Sequence, residues 1–488
     1  MTKPWERDSK EAVFLRSALT TDGAFASTGE FLRWFKERNQ ANRFVISQIP
    51  FAESDHWFFE DNPYRLRHSS GRFFTIQGIR VRTDFGPVRE WDQPIINQPE
   101  IGILGIITKR FNNTAHFLMQ AKMEPGNVNT LQLSPTVQAT KSNYTRIHQG
   151  KQPTYLEYFT DRSKGRILVD QLQSEQGSRF LYKRNRNMIV EVDGDIPEHE
   201  DFCWLTLGQI KELLLLDNLV NMDARTVLSC IPFTDPEWNW PPMENSGQTA
   251  LFHSMVSGFR NDLFLSMLER RRVLHPLDDI ISWFTEFKTR HEVHVETISL
   301  RDTRGWNITD DEIRHETGRF FSVAIFSVEA GNREVTRWTQ PLLKHFGHGV
   351  VGFLAQRKNG VLHFLVRASL EPGNRDTFEM GPTIACSGGL ESNGNGKPKP
   401  LFLEQFLNAP AGQIRYSAVQ SEEGGRFHHF QNRYMIVELP EQERIGHPEH
   451  FLWMTLGQIL DFIRYGYFNI EARNLVSCLS LLPDSSPE

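Results

Sequence analysis

The chain has 488 residues, of which 39% are hydrophobic and 23% charged, and its 54 Lys and Arg against 60 Asp and Glu leave a net charge of −6. This is the composition of a globular protein with room for two or three domains, and its mild negative charge gives no electrostatic footing for a nucleic-acid partner. The four cysteines form no C-x-x-C pair and the first 25 residues carry scattered charges instead of an apolar core, so we expect a cytoplasmic protein with reduced thiols, no signal peptide and no membrane span.

Residues 1–25 read as an N-terminal arm. Phe31 to Arg38 predicts a short helix presenting Phe31, Trp34 and Phe35, and Arg43 to Ile49 a strand. Trp57 falls in a turn-rich loop. Arg72 to Thr83 alternates, but its apolar phase slips across Gly78, the pattern of a β-bulge. Ile95 to Ile107 reads as a buried strand flanked by a loop. His116 to Thr140 then predicts a hairpin: Phe117, Met119, Ala121 and Met123 fall on one side, Gln120, Lys122 and Glu124 on the other, and Pro125 to Asn127 supply the turn. The second arm alternates Leu131, Leu133, Val137 and Ala139 with Gln132, Ser134, Thr136 and Gln138. A solvated sheet face is one reading of the polar side. Its amides and hydroxyls, in place of the usual Lys and Glu, also suit a polar neutral ligand such as a sugar. A polar loop with Ser142 and Tyr144, a short helix with Tyr155 to Phe159 and two strands follow. Trp204 to Thr206 then opens a helix with a Thr206/Gln209 capping box.

The hairpin returns as His363 to Ser387 at an offset of 247, and the match continues far beyond the hairpin. LQSEQGSRF (172–180) recurs as VQSEEGGRF (419–427) and WLTLGQI (204–210) as WMTLGQI (453–459). Two copies exclude a solenoid. We divide the chain into the arm (1–25), a first repeat (26–235), a linker with an amphipathic helix (236–275) and a second repeat (276–488). Gly388 to Pro400 replaces the first copy's polar loop with low-complexity sequence.

Comparing the copies separates scaffold from chemistry. Lys122 becomes Ser369, Ser134 becomes Gly381, Gln138 becomes Ala385 and Lys183-Arg184 becomes Phe430-Gln431, while Tyr144 has no counterpart. The first copy is therefore the candidate active site. The second keeps Arg367 and Glu379, with Trp306, Glu371, Thr383 and Arg426 around them, and stands as a ligand-binding or alternative working copy. No G-x-G-x-x-G opening a βαβ unit, Walker loop or nucleophile elbow occurs, which removes the usual nicotinamide and hydrolase readings.

The motifs QPEIGILGI (98–106), HFLMQAKMEPGN (116–127), LQLSPTVQAT (131–140), SNYT (142–145), KRNRNMIVE (183–191) and WLTLGQI resemble those of the NDP-hexose 2,3-dehydratases of deoxysugar biosynthesis. The resemblance implies an α+β fold, a tandem duplication of a Nudix-like mixed-sheet unit with flanking helices, and a homodimer. The R-E-x-x-E-E box of Nudix hydrolases is absent, so diphosphate hydrolysis is not implied. The resemblance also implies a dTDP-4-keto-6-deoxy-D-glucose substrate that loses its C2 hydroxyl on the way to 2,6-dideoxysugars. A C4 ketone acidifies the C3 hydrogen, so the reaction needs a base, an enolate stabiliser and an acid for the departing hydroxyl. Glu124, Lys122 and Tyr144 are our candidates for those roles. Gln120, Gln132, Ser134, Thr136, Gln138 and Ser142 are candidates for the sugar, Arg179, Lys183, Arg184 and Arg186 for the diphosphate, and Trp57 and Trp91 for either thymine stacking or the core. Proton transfers alone suffice, so the expectation is a reaction without NAD, flavin or metal. A nucleotide-sugar epimerase and a non-catalytic nucleotide-sugar-binding protein remain the alternatives.

Overall fold

The apolar phase of the hairpin decides which way its sheet faces. In the computed structural model, which describes residues 9–140, 153–234, 258–331, 335–386 and 399–482, Phe117, Met119, Ala121 and Met123 are all buried on the core side of strand Thr114–Met123. That strand pairs antiparallel with Gly102–Phe111 and with Phe202–Thr206. Arg184–Glu191 lies parallel to Gly102–Phe111 and carries Arg166–Ser174 on its far edge, which makes the sheet mixed. The hairpin's second arm is two strands and not one. Leu131–Ser134 pairs with Thr114–Met123, whereas Val137–Ala139 crosses to Gly102–Phe111. Pro135, which has no N–H for a ladder, sits at the crossing. Thr136 pins it, accepting the Ile107 N–H at 2.9 Å and donating to the Leu118 carbonyl.

The second repeat builds the same seven-stranded sheet, and two six-stranded sheets complete a mixed α+β architecture. One continuous apolar core, running from Phe117 and Ile189 through Val227 to Phe364 and Leu475, joins the two large sheets. Both capping boxes form as expected, Thr206 with Gln209 and Thr455 with Gln458.

The smaller sheets exchange strands. Phe44–Ile49 of the first repeat pairs with Phe321–Ala330 of the second, and Val293–Ile298 of the second pairs with Thr75–Thr83 of the first. This exchange explains the phase slip at Gly78, where the ladder to Glu90–Asn97 runs on without a bulge. The strand is sandwiched at this point, and a Cβ on Gly78 would lie 2.6 Å from Thr303 Cγ2 and 3.0 Å from the Ile298 carbonyl. Both faces are buried, so strict alternation gives way to a continuous apolar run. Trp57 begins a strand, Trp57–Asp61, where a loop was expected, and it is core: its indole N–H donates to the Thr339 carbonyl at 2.8 Å. Trp306 is core in the same way, donating to the Asp92 carbonyl at 2.8 Å.

The arm and the linker helix are one element seen twice. Helix Lys10–Ala18 buries Ala12 to Leu15, and helix Phe259–Leu268 buries Leu263 to Leu265. Ser17 Oγ donates to the Ala115 carbonyl and accepts from the Leu207 N–H, just as Ser266 Oγ does with Leu362 and Leu456. Each such helix is thus the first element of its repeat.

Candidate functional site

The Glu-Pro-Gly-Asn turn of each hairpin docks on the other repeat. Gly126 donates its N–H to the Gly424 carbonyl at 2.7 Å and accepts from the His429 N–H at 2.7 Å. A Cβ on Gly126 would lie 1.6 Å from the Phe427 carbonyl oxygen, so only glycine fits. The partner turn repeats the contact, with Gly373 N–H donating to Gly177 at 2.7 Å. The S-E-x-G-x-R-F loop of one repeat therefore closes the polar face of the other.

In the first site, Lys122 Nζ lies 3.3 Å from Glu124 Oε1 and donates to Gln138 Oε1 at 2.7 Å. Gln138 in turn donates to the Asp223 carboxylate, while Asn221 Nδ2 reaches Gln138 Oε1 at 3.4 Å. Asp223 and Asn221 come from the start of helix Met222–Leu228, which Asn221 caps. From the second repeat come Glu423 and Arg426, the latter donating to Gln98 Oε1 at 3.2 and 3.3 Å. Burial and then the Glu124 charge push the Asp223 carboxyl up to about 6. Burial raises Glu423 to about 8 against the pull of Arg426, with Asp223 and Glu124 adding to the rise. Glu175 is raised well above the usual carboxylate range by burial and by the charges of Asp223 and Glu423. Its Oε2 accepts from Asn185 at 2.7 Å. Burial lowers the Lys183 ammonium, which donates to the Glu100 carbonyl at 2.5 Å. Low dielectric and clustered carboxylates together keep several of these groups protonated near neutral pH.

The second site has the same frame with different chemistry. Glu371 Oε1 accepts from Asn469 at 3.4 Å, Glu379 accepts from Ser174 at 2.7 Å, and Arg367 donates to Ser369 Oγ at 3.1 Å. Burial is the main cause that raises Glu371 and Glu379 to about 7 and Glu471 to about 8. Arg179 crosses over from the first repeat, 3.2 Å from His345 Nε2 and 4.5 Å above the Phe321 ring. His345 stacks at 3.5 Å on Phe430, the counterpart of Lys183.

The family model described as NDP-hexose 2,3-dehydratase matches residues 28–231 and again 277–479. Three relatives carry the name dTDP-4-dehydro-6-deoxy-alpha-D-glucopyranose 2,3-dehydratase. The protein from Saccharopolyspora spinosa is 45% identical over 96% of this chain and 94% of its own length. The chain belongs to the NDP-hexose 2,3-dehydratase family. Relatives from Amycolatopsis orientalis and Streptomyces violaceoruber are each 44% identical, over 95% and 94% of this chain and 92% and 98% of their own lengths. Each family-model segment covers one repeat from its second helix, Thr28–Ala41 or Leu277–Arg290, onward.

Of the residues singled out from sequence, Lys122, Glu124 and Gln138 meet, with half-buried Gln120 on the same strand. Lys183 lies near enough for its charge to act on Glu175, Glu423 and Asp223. Others lie elsewhere. Arg179 and Arg426 have changed places, each reaching the site of the repeat it does not belong to. Arg184 acts on Glu379 of the second site, and Arg186 is held in a two-pronged pair with Asp170 at 2.7 Å. Gln132 is fully buried and donates to Ser421 Oγ across the repeats, Ser134 donates to the Pro135 carbonyl, and Thr136 and Thr383 are crossing pins. Trp91 donates to Gln93 Oε1 at 3.0 Å. Ser142 and Tyr144 fall outside the described residues. Asp223, Glu175, Glu423 and Gln98 went unnoticed. The signal for Glu423 was present in the duplicated loop, where its counterpart is Gln176, but reading each loop as part of its own repeat concealed it.

Proposed function

We propose that this protein is a carbon–oxygen lyase that removes water from dTDP-4-dehydro-6-deoxy-α-D-glucose to give a dTDP-3,4-diketo-2,6-dideoxyhexose. Similarity of 44–45% over nearly the whole chain to three proteins bearing that one activity carries the reading. In the first site Glu124 takes the C3 proton, which the C4 ketone makes acidic. Lys122 lies beside it and neutralises the enolate oxygen. Expulsion of the C2 hydroxyl restores the ketone and leaves a C2=C3 enol, which tautomerises to the diketone. Each repeat is in this reading a Nudix-like unit whose polar face has been given over to proton transfer.

The same reading makes the chain a cytoplasmic homodimer. Cys203, Cys230, Cys386 and Cys478 are free thiols, in keeping with a reducing compartment, and no helix among the described residues is long and apolar enough to cross a membrane. Mass spectrometry of the sugar nucleotide after incubation in deuterated buffer tests the function. Loss of one water is the expected result; deuterium uptake without that loss would make the protein an epimerase, and unchanged substrate a binding protein.

A further inference from the structure

The loop that the second repeat lays over the first site differs from its counterpart at two positions that face the chemistry. Glu423 stands where the other loop has Gln176, and Gly425 where it has Ser178. Gly425 donates its N–H to Glu423 Oε1 at 3.1 Å. A Cβ on Gly425 would lie 2.5 Å from Glu423 Oε1 and 3.8 Å from Glu124 Oε1, so both carboxyl groups lie against this glycine and a side chain there would displace Glu423. Glu423 Oε2 is out of solvent and has no partner among the described residues. Of the other acids of this site, Asp223 is committed to Gln138, which receives Lys122, and Glu175 accepts from Asn185 at 2.7 Å. Gln176 in the second site instead donates to Glu422 Oε2 at 2.9 Å, and an amide has no acidic proton to give.

On the dehydratase reading, we propose that Glu423 is the general acid for the departing C2 hydroxyl, supplied to the first repeat's site by the second repeat. The Glu423 O–H proton passes to the C2 oxygen as the C2–O bond breaks, and that bond's electron pair leaves with the water. The enolate pair becomes the C2=C3 bond. The Glu423 carboxylate then takes the enol O–H proton while Glu124, protonated in the first step, returns its proton to C2, so both groups end as they began. A carboxyl raised to about 8 is protonated at neutral pH and ready to donate.

Glu423→Gln keeps the shape and imports the residue that the other loop already carries. In D2O this variant should still exchange the C3 hydrogen of the substrate, because Glu124 and Lys122 are intact, while water loss falls about a hundredfold or more. Retained dTDP binding and an unchanged melting temperature report that it folds. Gly425→Ser, whose side chain would displace Glu423 and press towards Glu124, should depress both exchange and elimination. Elimination by Glu423→Gln within a few-fold of wild type, or loss of exchange together with elimination, overturns the assignment. So does exchange without elimination in Tyr144→Phe, which would make that phenol the acid. A wild-type enzyme that removes no water overturns the dehydratase reading as well.

Discussion

The two polar faces of this molecule share a skeleton and differ in what is attached to it. Glu124 and Glu371, Asp223 and Glu471, Asn221 and Asn469, and Arg225 and Arg473 occupy equivalent places in both. Arg225 and Arg473 are wholly buried and donate to backbone carbonyls of the opposite repeat, Arg225 to Ser421 and Arg473 to Ser174 at 2.5 Å. They hold the repeats together. Lys122, Gln138, Lys183, Glu423 and Gly425 become Ser369, Ala385, Phe430, Gln176 and Ser178 on the other side. The first face therefore has an ammonium beside a carboxylate, whereas the second has guanidinium groups of Arg367 and Arg179 and a ring stack. The shared residues include the arginines that cross between repeats, and the divergent ones are where the two faces part in charge.

The largest effect should come from the base. Glu124→Gln is expected to lower kcat by about a thousandfold, within the range for a general base, and Glu371→Gln to leave it within a few-fold. Steady-state assay of both variants checks this, and a reversed order would invert the comparison. Lys122→Met comes next, with a loss of about a hundredfold for removal of an enolate-stabilising charge, against near-full activity for Arg367→Ala. Kinetics in which Arg367→Ala was the lethal change would move the active site to the second repeat.

The smallest effect is on stability and sharpens the contrast from the other side. Glu371 and Glu379, raised to about 7, and Glu471 and Glu423, raised to about 8, hold protons in the folded chain that an unfolded chain has released above the usual value of 4.5. Their contribution is full below that value and is lost as pH climbs through 7 to 8. His363, His428 and His450, lowered to about 4, act in the opposite sense but only below their usual 6.5. Lys211, lowered to about 8, acts only above that. The melting temperature should therefore fall between pH 6.5 and 8. Because Glu371 shares the second site with Glu379 and Glu471, Glu371→Gln should flatten that slope without affecting kcat. An equal slope in the variant would show that the second cluster is ionised throughout.

Local signals were legible from sequence where the physics is local. The T-x-x-Q boxes form because Thr206 and Gln209 need only their own helix, and Lys122 and Glu124 meet because two residues along a strand share a face. Phe44–Ile49 was readable as a strand, but its pairing with Ile325 to Ala330 of the other repeat was not. Gly78 imitated a bulge because burial by a strand from the other repeat erases the alternation. Helix Lys10–Ala18 was hidden by its charges, although its Ser17 recurs as Ser266 in the helix taken for a linker. Asp223 and Glu423 reach the site only through tertiary exchange, which no periodicity records.

That exchange has an evolutionary consequence. A forebear with a single copy could have satisfied the swapped strands and docked turns only as two identical chains around a twofold axis, each completing the other's catalytic face. In such a pair every substitution appears twice, so an acid gained at one face is gained at both. Joining the halves into one polypeptide broke that symmetry. Gln176 and Glu423 could then diverge, so that the two faces no longer receive the same loop.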